Sequence, residues 1–392
     1  MSLTEDVAKL YQQYVMPTYT RTQTVMVRGK GIKAYDIEGK EFLDFFPGWA
    51  VSGIGHCHPK VVSAIREQAK RMIHVSNNFY NELQARLAQK IAGHSFDGKV
   101  FFCNSGAEAV EGAMKLARRF GYPSRYEIIT MENSFHGRTL AAITATAQPK
   151  YQEGFAPLPA GFSYALFNDL EAVKAKITEK TVAIMLEPIQ GEGGVNVATP
   201  EFLTGLRKIC DEKKILLIFD EIQTGMGRTG KMFCYQHYDV APDIMTLSKT
   251  LGGGFPIGAF IARREIADTL QPGMHASTFG GGPLACAASL AVFEAIEQGD
   301  LVAKSEKRGR YLRKKLLQLK NDFSFIKAVR GKGLMQGLEL EVDGAPIVNK
   351  CLERGLLINC THKTVLRLMP PMTVKNKEID AAIAILHDAL EQ

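Results

Sequence analysis

The fold is decided at residues 215–258, which read ILLIFDEIQTGMGRTGKMFCYQHYDVAPDIMTLSKTLGGGFPIG. Two apolar runs in this stretch each lead to a charged residue: 215–219 is followed by Asp220, and 244–247 leads to Lys249. Short, continuous apolar runs rich in β-branched residues are typical of strands that are buried on both faces of a sheet. Ligands of open α/β sheets bind outside the carboxyl ends of the strands, so an acid and a lysine there predict a reactive site.

The composition is that of an ordinary folded protein. The 392 residues are 46% hydrophobic and 23% charged, and the chain shows no internal repeat or low-complexity segment. No stretch approaches the ~18 consecutive apolar residues of a membrane span, and the first residues lack the apolar segment of a signal peptide. We therefore expect a cytoplasmic protein that does not interact with a membrane.

Neither the charge nor the cysteines indicate a protein that binds nucleic acid, contains disulfides or holds a metal. The net charge is +7, but the basic segment 304–315 has helical spacing and no accompanying nucleic-acid motif, which predicts a solvated helix face and no nucleic-acid binding. The seven cysteines include no C-x-x-C pair and are expected to be reduced thiols. The cluster His56-Cys57-His58 has no second pair of ligands and precedes Pro59, so we predict a turn before a helix and no metal.

The pattern of predicted elements divides the chain into three segments. Residues 1–55 predict a helix and short strands joined by a glycine-containing turn. Residues 56–298 alternate buried strands with helices, which predicts a large α/β domain with a mainly parallel sheet. Residues 299–392 predict an α+β segment that ends in an amphipathic helix. We expect the two terminal segments to form a smaller α+β domain.

Residues 225–230 spell GMGRTG, the G-x-G-x-x-G pattern of dinucleotide-binding proteins. That pattern requires glycines in the turn between a strand and a helix. Here residues 221–224 separate the glycines from the strand, and residues 231–235 are predicted to be extended. We therefore expect no nicotinamide dinucleotide at this motif.

A phosphate site is predicted where the strand at 100–103 meets a helix that Ser105, Gly106 and Ala107 open. The first amides of a helix are free and carry a partial positive charge, and small residues let a phosphate approach them. The alternative is an ordinary helix cap formed by Ser105. The presence of Lys249 elsewhere in the chain favours the phosphate site.

Candidate side chains also follow two other predicted strands, and one more lies within a predicted strand. Phe135, His136 and Arg138 share one loop, in which the aromatic ring can stack on a planar ligand and the guanidinium can bind a carboxylate. Glu192 lies in a glycine-rich loop, where it suits either a site or a structural salt bridge. Arg367 is a single arginine in an apolar strand and needs an anionic partner from the protein or from a substrate.

Together these residues resemble the class III (ornithine-type) aminotransferases, which are pyridoxal-phosphate enzymes of fold type I. The resemblance runs from Thr18 to the C-terminus and is most specific at 217–225 (LIFDEIQTG), at Ser248-Lys249 and at 252–258. Within the class, the segment 101–109 (FFCNSGAEA) looks most like the acetylornithine aminotransferases. The resemblance implies a large domain with a mainly parallel sheet and an active site at the interface of a homodimer.

The resemblance implies a role for each residue at the cofactor. Lys249 would attach pyridoxal 5'-phosphate (PLP) as a Schiff base and move a proton on the substrate, and Asp220 would pair with the pyridine nitrogen. The other implied contacts are Ser105, Gly106 and Ala107 at the phosphate, Phe135 on the ring face, His136 in the same loop, Gln223 at the phenolic oxygen, and Thr278 reaching the phosphate of the other subunit.

The resemblance also implies how two substrates bind. Arg367 would bind the α-carboxylate of glutamate and 2-oxoglutarate, and Arg138 the carboxylate of a longer donor whose terminal amine is transferred. Glu192 would cover or release Arg367 as the substrates alternate. Trp49 stands where the ornithine enzymes have a tyrosine and the acetylornithine enzymes a smaller aliphatic residue, so we expect it to line the substrate pocket.

The expected reaction transfers the terminal amino group of N-acetylornithine to 2-oxoglutarate in arginine biosynthesis. Ornithine, succinylornithine, succinyldiaminopimelate and 4-aminobutyrate remain open as donors, because a methylene or two changes binding by only about 1–3 kcal/mol. The sequence also leaves open a PLP-dependent aminomutase or racemase, and a non-enzymatic binding protein on the same scaffold.

Overall fold

The structure is a computed structural model and describes residues 3–391. Its α-helices are α1 (Leu3–Tyr14), α2 (Pro59–Arg71), α3 (Glu82–His94), α4 (Gly106–Gly121), α5 (Leu140–Ala145), α6 (Leu170–Lys174), α7 (Pro200–Lys213), α8 (Arg264–Ala267), α9 (Pro283–Gln298), α10 (Leu301–Asp322), α11 (Ala345–Glu353) and α12 (Asn376–Leu390). Short 3-10 helices span Pro149–Tyr151, Cys234–His237 and Lys249–Gly252. Within the described range, no helix is long and apolar enough to cross a membrane.

The strands are β1 (Met26–Lys30), β2 (Lys33–Asp36), β3 (Glu41–Asp44), β4 (Gly98–Cys103), β5 (Glu127–Met131), β6 (Phe162–Ala165), β7 (Thr181–Leu186), β8 (Ile189–Gln190), β9 (Asn196–Val197), β10 (Leu216–Asp220), β11 (Ile244–Leu247), β12 (Gly258–Arg263), β13 (Ile326–Lys332), β14 (Met335–Leu340), β15 (Leu356–Leu357), β16 (Asn359–Thr361) and β17 (Val365–Leu368). Each strand predicted within residues 56–298 is present, with ends that differ by one or two residues.

The central sheet has the order β4-β12-β11-β10-β7-β5-β6. Strands β11, β10, β7, β5 and β6 pair in parallel, and β12 runs antiparallel to both of its neighbours. Every residue of β7 and of β10 is buried, as expected for strands covered on both faces. The sheet is therefore mainly parallel, as predicted, and it brings the carboxyl ends of its parallel strands to one edge.

Several helices have a proline in their first turn. It lies in the first turn of α2, α7, α9 and α11. Its fixed φ suits that position, and its missing amide would have no partner there. Before α2, Cys57 has a φ of 48° and the His56 Nε2 lies 2.7 Å from a carboxylate oxygen of Asp44, so this segment is the predicted turn. The seven cysteines are free, and five of them are buried.

Two four-stranded sheets lie beside the central one. They have the orders β1-β2-β3-β15 and β13-β14-β17-β16. Strand β15 pairs in parallel with β3, which joins the N-terminal and C-terminal segments in one sheet. This pairing agrees with a smaller unit built from both termini, whereas the domain boundaries at residues 55 and 298 stay a prediction.

The predicted extended conformation of residues 231–235 is wrong. This segment bends and then enters the 3-10 helix Cys234–His237. The reason is the buried carboxylate of Glu221, which accepts hydrogen bonds from the backbone amides of Cys234 (2.7 Å) and Tyr235 (2.8 Å). A side chain that takes two consecutive amides leaves them unavailable for a strand ladder.

Candidate active site

A cavity of about 190 Å³ lies at the carboxyl ends of the parallel strands. Asp220 is the last residue of β10, and Lys249 follows β11 by two positions. The residues predicted for the site that line this cavity are Gly106, Ala107, Phe135, His136, Glu192, Asp220, Gln223 and Lys249. Folding thus brings together loops that are up to 143 positions apart in the sequence, from Gly106 to Lys249.

Asp220 is buried and held by donors on both carboxylate oxygens. Its Oδ2 lies 2.8 Å from Nδ1 of His136. Its Oδ1 accepts hydrogen bonds from the backbone amide of Ile222 and from the Thr246 hydroxyl, both at 3.1 Å. Burial disfavours the charged imidazole, but the hydrogen bond and the negative charge of Asp220 outweigh it and raise the pKa of His136. The carboxylate is therefore fixed in orientation, and an imidazole proton between the two groups is favoured.

Lys249 is partly buried at the start of a 3-10 helix, in a left-handed backbone conformation (φ 49°). Desolvation in the cavity lowers the pKa of its ammonium group. The charge of Glu192 opposes this shift, while that of Arg367 adds to it. An amine that loses its proton more readily is a better nucleophile and a better base.

The start of α4 forms one wall of the cavity. Ser105 caps this helix, because its hydroxyl accepts a hydrogen bond from the backbone amide three residues on (3.2 Å). Gly106 and Ala107 line the cavity, and the first amides of a helix have no intrahelical partner. A Cβ on Gly106 would lie 2.9 Å from Cδ1 of Ile222, and one on Gly258 would lie 2.1 Å from the Ser105 carbonyl oxygen. Glycine at both positions therefore lets the start of α4 pack closely against Ile222 and against the first residue of β12.

Arg367 is fully buried in β17 and surrounded by acceptors. Its Nη1 lies 2.8 Å from Oε1 of Glu192 and 3.3 Å from Oε1 of Gln223, and its Nε donates to Asn359 (3.0 Å). The Phe46 ring centroid lies 4.8 Å from its Cζ. Burial would raise the pKa of Glu192, but the charge and hydrogen bond of Arg367 outweigh it and lower this pKa. Nη2 is buried without a hydrogen-bond partner in the described part of the chain.

Arg138 is exposed and lies against two aromatic rings. Its Cζ is 4.0 Å from the ring centroid of Tyr151 and 5.5 Å from that of Phe135. The two rings meet edge to face with their centroids 5.8 Å apart. Tyr151 was not predicted, because it ends a short 3-10 helix that no motif or periodicity marks. This contact connects the ring at the cavity with the exposed guanidinium.

Glu187 is a second residue that the sequence did not assign to a role. It lines the cavity, and its carboxylate accepts hydrogen bonds from the backbone amides of Phe135 (3.0 Å) and Gly191 (3.3 Å). Burial raises its pKa to about 7. Its sequence signal was its position directly after the buried strand β7. Glu187 therefore joins the loop of Phe135 to the loop that carries Glu192.

Five predicted residues do not line the cavity: Ser105, the neighbour of Gly106 in the chain; Arg138 and Arg367, which contact residues that do; and Thr278 and Trp49. Thr278 is exposed in the loop before α9. Trp49 is half exposed and borders a separate groove, formed with α1 and the segment that follows it. Its ring meets the edge of Phe46 at a centroid distance of 5.6 Å, and Phe46 in turn packs against Arg367. Contact of Trp49 with a substrate stays a prediction.

The sequence model of the class III aminotransferase family matches residues 14–390. The chain belongs to the class III aminotransferases. As a member of this family, it is 53% identical to the acetylornithine aminotransferase of Methanocaldococcus jannaschii over 98% of this chain and 97% of that protein. The resemblance that the sequence motifs indicated is therefore confirmed.

Solved structures of class III aminotransferases share the fold. An ornithine aminotransferase from Toxoplasma gondii, with PLP at partial occupancy in its active site, matches with a TM-score of 0.94 and 34% identity over 98% of this chain and 94% of that one. The acetylornithine aminotransferase from Elizabethkingia anophelis matches with a TM-score of 0.90 and 35% identity over the whole of both chains. The fold class is as predicted, and PLP is the cofactor of this family.

Proposed function

We propose that this aminotransferase transfers the terminal amino group of N-acetylornithine to 2-oxoglutarate, giving N-acetylglutamate semialdehyde and glutamate in arginine biosynthesis. The observation that carries the reaction is the shared cavity of Lys249, whose amine is desolvated, and Asp220, whose carboxylate is fixed by His136. The choice of donor is supported by the 53% identity to an acetylornithine aminotransferase. A cytoplasmic location stays a prediction.

The groups that line the cavity fit PLP. The free amides of Gly106 and Ala107 suit its phosphate, the ring of Phe135 suits its planar ring, and Asp220 suits its pyridine nitrogen. When bound, PLP supplies an electron-withdrawing ring that stabilises negative charge on the substrate carbon bearing the amino group. Asp220 would keep the ring nitrogen protonated, and His136 holds the Asp220 carboxylate in position. Gln223 lies within the same cavity and suits the phenolic oxygen.

Lys249 both holds the cofactor and moves the proton in this proposal. Its Nζ takes a proton from the substrate carbon bearing the amino group and returns one during the transfer. A general base works best when its pKa lies near the operating pH, so the lowered pKa of this ammonium group favours the step. The walls around the cavity exclude water and keep the amine desolvated.

The two substrates differ in where their carboxylates lie. Glutamate and 2-oxoglutarate carry a carboxylate next to the reacting carbon, and the unpartnered Nη2 of Arg367 is a donor for it once Glu192 moves aside. A terminal amine has no adjacent carboxylate, so Glu192 stays paired with Arg367 while the donor reacts. Arg138 then binds the carboxylate at the far end of the donor.

The proposal includes a homodimer with the active site at its interface. Thr278 and Phe279 are exposed in the loop before α9, with 65% of Phe279 accessible. Helix α1 has no buried residue in the single chain, although Leu10 and Tyr14 on it are large and apolar. Exposed apolar surface of this kind suggests an interaction surface. A second subunit would cover it, with Thr278 reaching the phosphate site of the partner.

A donor panel tests the proposed function. Purified enzyme with 2-oxoglutarate is expected to show its highest kcat/KM with N-acetylornithine and values about tenfold or more lower with ornithine and 4-aminobutyrate, because a small change in the bound tail changes binding by about 1–3 kcal/mol. The control Lys249→Ala should form no glutamate. Faster turnover of ornithine, which the Toxoplasma similarity makes the second candidate, would contradict the choice of donor.

A further inference from the structure

The GMGRTG segment at 225–230 places Arg228 in the interior of the protein, where no carboxylate among residues 3–391 forms an ion pair with it. Arg228 is 1% exposed, and its Nη1 donates to the carbonyl oxygens of Leu334 (3.2 Å) and Pro370 (2.5 Å). Its Nε and Nη2 have no partner among residues 3–391. Burial of a guanidinium without an anionic partner costs free energy. The two hydrogen bonds to carbonyl oxygens are the interactions that offset this cost.

The same segment is in close backbone contact with the sheet that contains Arg367. The Leu334 amide donates to the Arg228 carbonyl oxygen (3.0 Å), which closes a reciprocal pair between the two residues. A Cβ on Gly333 would lie 2.4 Å from the carbonyl carbon of Thr229, and one on Gly227 would lie 2.9 Å from Sδ of Met372. The small residues of the motif therefore serve close packing against the turn between β13 and β14 and against the segment after β17.

The loop that follows β10 contacts both Arg367 and the backbone that follows it in the chain. Gln223, which precedes the motif, accepts a hydrogen bond from Nη1 of Arg367 at 3.3 Å. Pro370, which accepts from Arg228, follows Arg367 by three positions, just beyond the end of β17. One loop thus contacts the guanidinium of Arg367 through Gln223, and it contacts the backbone just after β17 through Arg228.

We propose that Arg228 is a positioning residue for the substrate carboxylate, because it holds the segment just after β17 and so keeps the guanidinium of Arg367 beside Glu192 and Gln223, which line the cavity. The inference rests on the proposed function, in which Arg367 binds the α-carboxylate of glutamate and 2-oxoglutarate. Arg228 itself touches neither substrate. It is expected to affect the acceptor reaction and to leave the reaction with the ω-amino donor nearly unchanged.

Half-reactions of the holoenzyme test this inference, with Arg228→Met and Arg228→Lys as the variants. Methionine removes both hydrogen bonds at similar length, and lysine keeps the charge but loses the planar fork. Arg228→Met is expected to raise the apparent dissociation constant for 2-oxoglutarate about tenfold or more, because the loss of buried hydrogen bonds displaces the arginine that binds this substrate. The apparent dissociation constant for N-acetylornithine should change less than about threefold. The dissociation constant of the Arg228→Lys enzyme for 2-oxoglutarate should lie between those of the Arg228→Met enzyme and the unchanged enzyme. Thermal unfolding and the visible spectrum of the bound cofactor report whether each variant folds and binds PLP.

The comparison with Arg367→Ala separates the two possible failures. If Arg367→Ala leaves 2-oxoglutarate unaffected, the proposed role of Arg367 is wrong. Suppose instead that Arg367→Ala raises the apparent dissociation constant for 2-oxoglutarate. If the Arg228→Lys enzyme then binds 2-oxoglutarate as tightly as the unchanged enzyme does, the positioning role is overturned. Equal weakening of both substrates by the Arg228 variants would also overturn it. In the Arg367→Ala background, Arg228→Lys should have no further effect on 2-oxoglutarate, because residues that act through one group are not additive.

Discussion

The two arginines assigned to substrate carboxylates are held in opposite ways. Arg367 has no exposed surface and lies 2.8 Å from the carboxylate of Glu192, with one nitrogen left unpartnered. Arg138 is exposed, and its guanidinium lies over the ring of Tyr151 at 4.0 Å. A competing carboxylate must therefore displace Glu192 to reach Arg367, whereas Arg138 is open to solvent before any ligand binds.

This difference explains how one cavity can serve two substrates. A buried guanidinium gives up its carboxylate partner only when another anion takes that place, so Arg367 becomes available to a substrate that brings its own carboxylate. A guanidinium stacked on a ring keeps its edge free for two parallel hydrogen bonds to a carboxylate. We infer that Arg367 discriminates between the substrates and that Arg138 anchors the far end of the longer one.

Arg367→Ala is expected to have the largest effect. Removal of one partner of a buried charge pair costs about 2–5 kcal/mol, so kcat/KM for 2-oxoglutarate should fall by about 30- to 5,000-fold. The donor half-reaction with N-acetylornithine should change far less. Stopped-flow measurement of the two half-reactions checks this expectation, with Arg367→Lys as the control that keeps the charge. Similar losses in both half-reactions would contradict the assignment of Arg367 to one substrate class.

Arg138→Ala is expected to have a smaller effect on the other substrate. Hydrogen bonds to a charged group contribute about 1.5–3 kcal/mol, so kcat/KM for N-acetylornithine should fall by about 10- to 100-fold. The value for 2-oxoglutarate should fall much less, because Arg367 binds its α-carboxylate. Steady-state kinetics with each substrate varied in turn provide the measurement, with Arg138→Lys as the matched control. Equal losses for both substrates would refute the division of labour between the two arginines.

The sequence predicts the fold well wherever a strand is buried on both faces. The apolar runs at β7, β10 and β11 are continuous and fully buried, so their hydrophobic pattern is enough to identify them. The segment 231–235 was mispredicted because a distant carboxylate, that of Glu221, takes its amides. Such a tertiary hydrogen bond leaves no local signal, and the pairing of β3 with β15 leaves none either.

The candidate site was predictable where chemistry requires a particular residue type at a strand end. Asp220, Lys249 and the start of α4 carry such signals, and the structure brings them to one cavity. The link between Asp220 and His136 was not predictable from spacing, because the two residues are 84 positions apart. Tyr151 was missed for a similar reason, since its contacts with Phe135 and Arg138 arise where the 3-10 helix Pro149–Tyr151 packs against their loop.

Substitution of Tyr151 is expected to have the smallest effect of the three changes. It tests whether the ring of Tyr151 positions the exposed guanidinium of Arg138. An exposed cation–π contact contributes about 0.5–1 kcal/mol, so Tyr151→Leu should lower kcat/KM for N-acetylornithine by about two- to fivefold. Tyr151→Phe keeps the ring and should retain nearly full activity in the same kinetic assay. If both variants lose activity equally, the hydroxyl group rather than the ring supports the donor. If neither variant has an effect, Arg138 needs no orientation before the donor arrives, and the two arginines would then differ only in their exposure to solvent.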